Sequence, residues 1–161
     1  MPNWVRNKVK FGTDQVIKDC MTIRETGNKE FDFNKVIPMP KELEEENGFE
    51  KLTMEEKLIF LKENDNCDNW YDWNVKHWGT KWNSSETFVV NDKEVEFDTA
   101  WSTPEPIFKA ISKKYNTTVK VGFADEAIGE NCGILAYKNG EETYYKEGDA
   151  DFAERIWGYK D

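Results

Sequence analysis

Hydrophobic and polar positions alternate over residues 4–11: Val5, Asn7, Val9 and Phe11 share one side, and Trp4, Arg6, Lys8 and Lys10 the other. A period of two predicts a half-buried strand. Asn7 falls on the apolar side and so requires hydrogen-bond partners. Beyond Gly12 the period lengthens. Val16, Ile17, Cys20, Met21 and Ile23 follow helical spacing behind Thr13 or Asp14 as a cap, with Gly27 as a stop, so a helix is predicted over 14–25. Residues 33–37 read as a second strand, ended by Pro38 and Pro40, which cannot donate to a ladder.

Thr53-Met54-Glu55-Glu56 is a capping-box pattern, and Met54, Leu58 and Leu61 follow at helical spacing as one apolar stripe, which predicts a helix over 53–64. Residues 70–82, WYDWNVKHWGTKW, show no regular period, and Gly79 marks a bend. A structured loop is predicted there, leading into a hairpin of 87–90 and 94–101 around Asn91-Asp92. Ser102-Thr103-Pro104-Glu105 reads as a hydroxyl-capped start for a helix over 104–114, with Ile107, Ala110 and Ile111 as its inner stripe. Strands follow at 118–123 and 132–137. Asn139-Gly140 is a type I′ signal leading into 143–145. A short helix over 150–157 carries Phe152, Ile156 and Trp157.

This order is β-α-β, an acidic helical insertion over 41–69, then β-α-β and a C-terminal β-hairpin. Two split βαβ units of this kind predict an α+β ferredoxin-like domain, an antiparallel sheet with helices on one face, occupying 1–161 as a single domain. The insertion is expected to be peripheral.

Composition narrows the class. Aromatic residues are 14% of the 161, enough to exclude a disordered chain. No apolar run reaches the length of a membrane span, and residues 1–6 lack the apolar region of a signal peptide, so a cytoplasmic protein is expected. Cys20, Cys67 and Cys132 are widely separated, with no CxxC pair, so neither a disulfide framework nor a zinc site is expected. The net charge of −10 is uneven: residues 41–69 hold ten carboxylates against four cations, and residues 125–161 repeat that imbalance. Such surfaces repel phosphate backbones and attract basic partners.

The chain has no Walker loop, GxGxxG, GxSxG or HExxH motif. No catalytic residue, metal ligand or cofactor is assigned. His77, the one histidine, would need a carboxylate such as Asp72 or Glu126 to act as an acid–base group. The candidate binding residues are Trp70, Asp72, Trp73, His77, Trp78, Lys81, Trp82 and Trp101. Two uses of these rings fit the sequence: packing against one another, or stacking on a ligand with Lys76 and Lys81 beside them.

Several segments together carry a resemblance: Pro2-Asn3-Trp4-Val5-Arg6-Asn7, the Phe33–Pro40 stretch FNKVIPMP, Asn69-Trp70-Tyr71-Asp72-Trp73, Trp78-Gly79-Thr80-Lys81-Trp82, and Phe97–Ser102. In this order the chain resembles the YubB-like ferredoxin-like domain family of plasmids and bacteriophages. The resemblance implies that fold and an origin on a mobile element in a bacterial host. It implies no reaction. The leading expectation is a non-enzymatic protein that engages a host protein with a basic surface, its carboxylates imitating phosphates to blunt a defence or nucleic-acid-handling system. Binding of single-stranded nucleic acid or nucleotide by the Trp-rich block comes second, and an enzyme centred on His77 third.

Overall fold

The computed structural model describes residues 2–160. The alternation in β1 (Trp4–Phe11) survives as burial: Val5, Asn7, Val9 and Phe11 are buried, and the residues between them are not. β1 lies inside a six-stranded sheet with β4 (Ser85–Asn91), β5 (Glu94–Ala100), β6 (Thr118–Asp125), β7 (Cys132–Lys138) and β8 (Glu141–Glu147). The order is β4-β5-β1-β6-β7-β8, and every adjacent pair is antiparallel. The crossover through α1 (Gln15–Cys20) leads from β1 to β4, across β5. That through α5 (Glu105–Lys114) leads from β5 to β6, across β1. These interlocked crossovers are the ferredoxin-like arrangement, and β7 and β8 extend it.

Val16, Ile17 and Cys20 of α1 and Ile107, Phe108 and Ile111 of α5 pack with Val5, Val9, Val95, Phe97 and Leu135 into one core, so both helices share a sheet face. The terminal helix α6 (Ala150–Trp157) lies on the other. Its Ala153 and Ile156 pack with Ala124 and Cys132, and a side chain added at Gly122 would come within 3.1 Å of Ile156 Cδ1. Small residues on that face of β6 make room for the helix.

Four local expectations are corrected. The helix expected over 14–25 stops at Cys20. Met21-Thr22-Ile23 instead form β2, paired with β3 (Lys29–Phe31), and Gly27, at φ +84°, turns that hairpin rather than ending a helix. The strand expected over 33–37 is a 3-10 turn, Phe33–Lys35, because the Asp32 carboxylate accepts from Asn34 N and winds the backbone. The loop expected over 70–82 begins as helix α4 (Trp70–His77). Ser102 and Thr103 do not cap α5; their hydroxyls donate to Gly79 O and Asn7 Oδ1.

The acidic segment holds α2 (Lys41–Glu44) and α3 (Met54–Glu63), the latter with the full capping box of Thr53 and Glu56. Its regular stripe is not the buried one: Met54 and Leu58 face solvent, and Phe60 is buried beside Phe49. Leu43, Phe60 and Cys67 join the main core, with Phe49 and Leu52 packed against it. Among the described residues no helix is long and apolar enough to cross a membrane.

Candidate functional site

α4 starts where Asn69 accepts a hydrogen bond from Asp72 N at 2.8 Å, an N-cap that also holds the Asp72 carboxylate through Asn69 Nδ2. The helix turns Trp73 and Asn74 inward and leaves Trp70 and Tyr71 outside. Trp73 stacks on His77 at 4.5 Å and meets Trp78 edge-on at 5.6 Å. Trp78 packs edge-on against Phe33, and its indole N–H donates to Ile37 O at 2.8 Å, not to Asn7, Asp72 or Thr99.

Gly79 follows at φ +77°, and a side chain there would sit 2.6 Å from Pro106 Cδ, so both its backbone freedom and its bareness are used. The bend brings 80–82 against 100–102. Thr80 donates to Ala100 O at 2.7 Å, and Asn74 Nδ2 donates to Lys81 O at 2.9 Å. Beneath them Asn7 is fully engaged: Nδ2 reaches Val5 O, Phe97 O and Thr99 Oγ1, and Oδ1 accepts from Thr103. This buried network fixes the chain on both sides of Trp101.

The eight candidate residues therefore separate. Trp73 and Trp78 are 3% and 2% exposed and belong to the core, whereas Trp70, Trp82 and Trp101 are 40%, 37% and 42% exposed. Tyr71 is equally exposed, and Trp4 stands 6.0 Å from Trp82. Trp70 meets Tyr71 edge-on at 6.0 Å, and Tyr71 meets Trp101 at the same distance. The Lys81 ammonium lies 4.5 Å from the Trp82 ring, 4.8 Å from Trp101 and 5.8 Å from Tyr71, inside the range of cation–π attraction. Trp101 takes φ +72°, a left-handed backbone that bulky side chains rarely adopt. Its amide donates to Asn3 O, and its carbonyl accepts from Asn131 Nδ2.

An acidic cleft of about 360 Å³ adjoins this cluster. Its walls include Glu42, Glu44, Glu45, Glu46, Glu50 and Asp68, together with Trp70. None of these carboxylates has an ion-pair partner among the described residues. Trp70 is thus common to the cleft and the rings.

His77 is a brace. Its Nδ1 lies 3.0 Å from Trp73 O and its Nε2 2.8 Å from Asp65 Oδ2, so both ring nitrogens are engaged with the protein. The carboxylate it meets is Asp65, not Asp72 or Glu126. All three cysteines are buried and free, and burial pushes each thiol up from its usual range, away from the reactive thiolate.

Trp4, Tyr71 and the cleft carboxylates were absent from the sequence-derived set. Trp4 was legible as the large ring on the non-core side of β1. Tyr71 required knowing that α4 is a helix.

Residues 77–160, just over half of the chain, match the model of the ferredoxin-like domain in Api92-like proteins. The chain belongs to that family. The matched segment holds Trp78, Lys81, Trp82 and Trp101 of the Api92-like domain; Trp4, Tyr71 and the acidic cleft lie before it. A solved structure, that of protein api92 from Yersinia pseudotuberculosis, aligns at 15% identity with a TM-score of 0.40, over 51% of this chain and 31% of that one. The chain thus spans about a third of that protein's length. No curated protein matches the sequence.

Proposed function

We propose that this Api92-like chain is a non-enzymatic binding protein that takes a lysine- or arginine-rich segment of a partner protein. One observation carries this: Trp70 joins a cleft lined by unpaired carboxylates to a surface of exposed rings. Unpaired acidic groups steer a basic partner, and exposed aromatic side chains supply contact area at little entropic cost. The wider setting of the proposal is a plasmid or phage protein acting in the cytoplasm of a bacterial host. There it would occupy a basic surface that otherwise holds nucleic acid in a defence system.

A nucleic-acid ligand is less favoured, because its phosphates would lie beside the cleft carboxylates. Fluorescence anisotropy with a labelled lysine- and arginine-rich peptide and with a labelled single-stranded oligonucleotide separates the two. The peptide is expected to bind and to weaken as salt rises. Binding of the oligonucleotide alone, or of neither, removes the proposal.

A further inference from the structure

An aromatic cage holds a cation because the faces of the rings are negative, and it is strongest where the cation is shed of water. Such a cage exists here and has an occupant of the chain's own. Lys81 Nζ lies within 6 Å of Trp82, Trp101 and Tyr71, and among the described residues no carboxylate pairs with it. Three separate segments supply the rings: the first turn of α4, the bend after Gly79 and the residue that follows β5.

The backbone under each ring is held independently of Lys81's side chain. Asn69 caps the turn that carries Tyr71. Asn74 and Thr80 fix the strand of chain bearing Trp82. Asn3 and Asn131 hold the peptide groups of Trp101. Removing the lysine side chain therefore leaves the frame standing. Trp101 also occupies its place despite a left-handed backbone, a strained arrangement of the sort that persists where a side chain is required at a surface.

We propose that Tyr71, Trp82 and Trp101 form a cage for a lysine-type ammonium group of a binding partner, and that Lys81 is its resident stand-in, which swings out when the partner's cation enters. Lysine suits that exchange: its flexible stem lets the ammonium leave while the backbone stays fixed. The resident also sets a threshold. An incoming ammonium sees only the fraction of molecules whose cage is empty, so its apparent affinity is reduced by that fraction. Partners that also engage the acidic cleft through Trp70 overcome this, whereas free amines at low concentration do not. This deepens the binding proposal and rests on it for the partner being basic; the cage itself is inferred from the placement of Lys81 among the three rings.

The test titrates tetramethylammonium chloride into wild type, Lys81→Ala and Lys81→Ala/Trp101→Gly, following tryptophan fluorescence against sodium chloride at equal ionic strength. Lys81→Gln stands in if the alanine variant unfolds, with thermal unfolding as the check on each. A saturable change is expected in the Lys81 variant, about tenfold or more weaker in wild type, and absent without Trp101. No saturation in the Lys81 variant, equal affinity in wild type, or binding that survives loss of Trp101 overturns the cage. The basic peptide is then titrated into the same three proteins. Peptide binding that ignores both substitutions, with no tetramethylammonium binding, sinks the cage and leaves the binding proposal intact. Tetramethylammonium binding without peptide binding does the reverse.

Discussion

Trp78 and Trp101 are the same residue type put to opposite uses, and substitution tells them apart. Trp78 is buried among Phe33 and Trp73 and satisfies Ile37 O. Trp78→Ala is expected to destabilise by about 3–5 kcal/mol, as large-to-small core changes do, read from urea unfolding. Trp101→Gly removes a half-exposed ring but relieves a left-handed backbone worth roughly 1–2 kcal/mol to a residue with a Cβ. Its stability is expected within about 1 kcal/mol of wild type, with glycine more stable than Trp101→Ala by a similar amount. Alanine proving more stable than glycine would show that the backbone there demands nothing. The sequence could not make this separation. Which rings of WYDWNVKHW turn inward depends on α4 being a helix, and Trp, Tyr, Asn and Asp are weak helix formers. The readable signal was local: Asn69 three residues before Asp72, an N-cap spacing.

Elements were legible where one period governed and illegible where a side chain overrode it. β1 and α5 follow their patterns because each buries a single side, with Phe108 rather than Ala110 beside Ile107 and Ile111; β5 keeps its alternation only as far as Phe97, beyond which Asp98, Thr99 and Ala100 are all buried. The stretch after α1 fails because Met21 and Ile23 fit a helical stripe and a short strand equally well, and the pairing with Lys29–Phe31 decides it. At 33–35 the deciding group is Asp32. Burial pushes its carboxyl up, but hydrogen bonds from Asn83 and Asn34 N, together with the nearby Arg24 cation, outweigh that and hold it below the usual carboxylate range. The sign follows: the unfolded chain binds the proton more readily, so Asp32 stabilises at neutral pH and that contribution is lost as pH falls below about 4. Asp32→Asn is expected to cost about 1.5–3 kcal/mol at pH 7, as for a hydrogen-bonded charged group. The gap to wild type should be nearly the same at pH 7 and pH 5 and narrow in urea unfolding at about pH 3.5 and below. A gap that stays constant with pH would mean that the ionised form contributes nothing.

At the scale of the whole molecule, the sheet order and the side taken by α1 and α5 follow from β1, whose alternation assigns a core face and an open one. The side taken by α6 did not follow, since an amphipathic helix covers either face; Gly122 and Ala124, small and on the non-core side, were the available hint. The acidic insertion shows the same limit. Its charge was readable, but its most regular stripe, Met54 and Leu58, faces solvent, while Leu43, Phe49 and Leu52 tie the segment to the core. Removing 41–52 would therefore uncover Phe60 as well as discard charge, and neutralising exposed carboxylates is the cleaner probe of the proposed binding. Glu44, Glu45 and Glu46 are exposed, line the cleft and form no ion pairs among the described residues. Their joint replacement by Gln should leave the unfolding midpoint nearly unchanged, since surface substitutions of this kind stay within about 0.5 kcal/mol each. If the cleft meets a basic segment, three lost charges worth roughly 0.5 kcal/mol apiece weaken the labelled peptide about tenfold at low salt. The same loss should shrink between low salt and about 0.5 M salt, where the screening length falls well below the 10 Å it has at 0.1 M. A triple variant that binds the peptide as wild type does, at both salt concentrations, would show that these carboxylates serve solubility alone, because a charge that takes part in binding cannot be removed without changing the salt dependence.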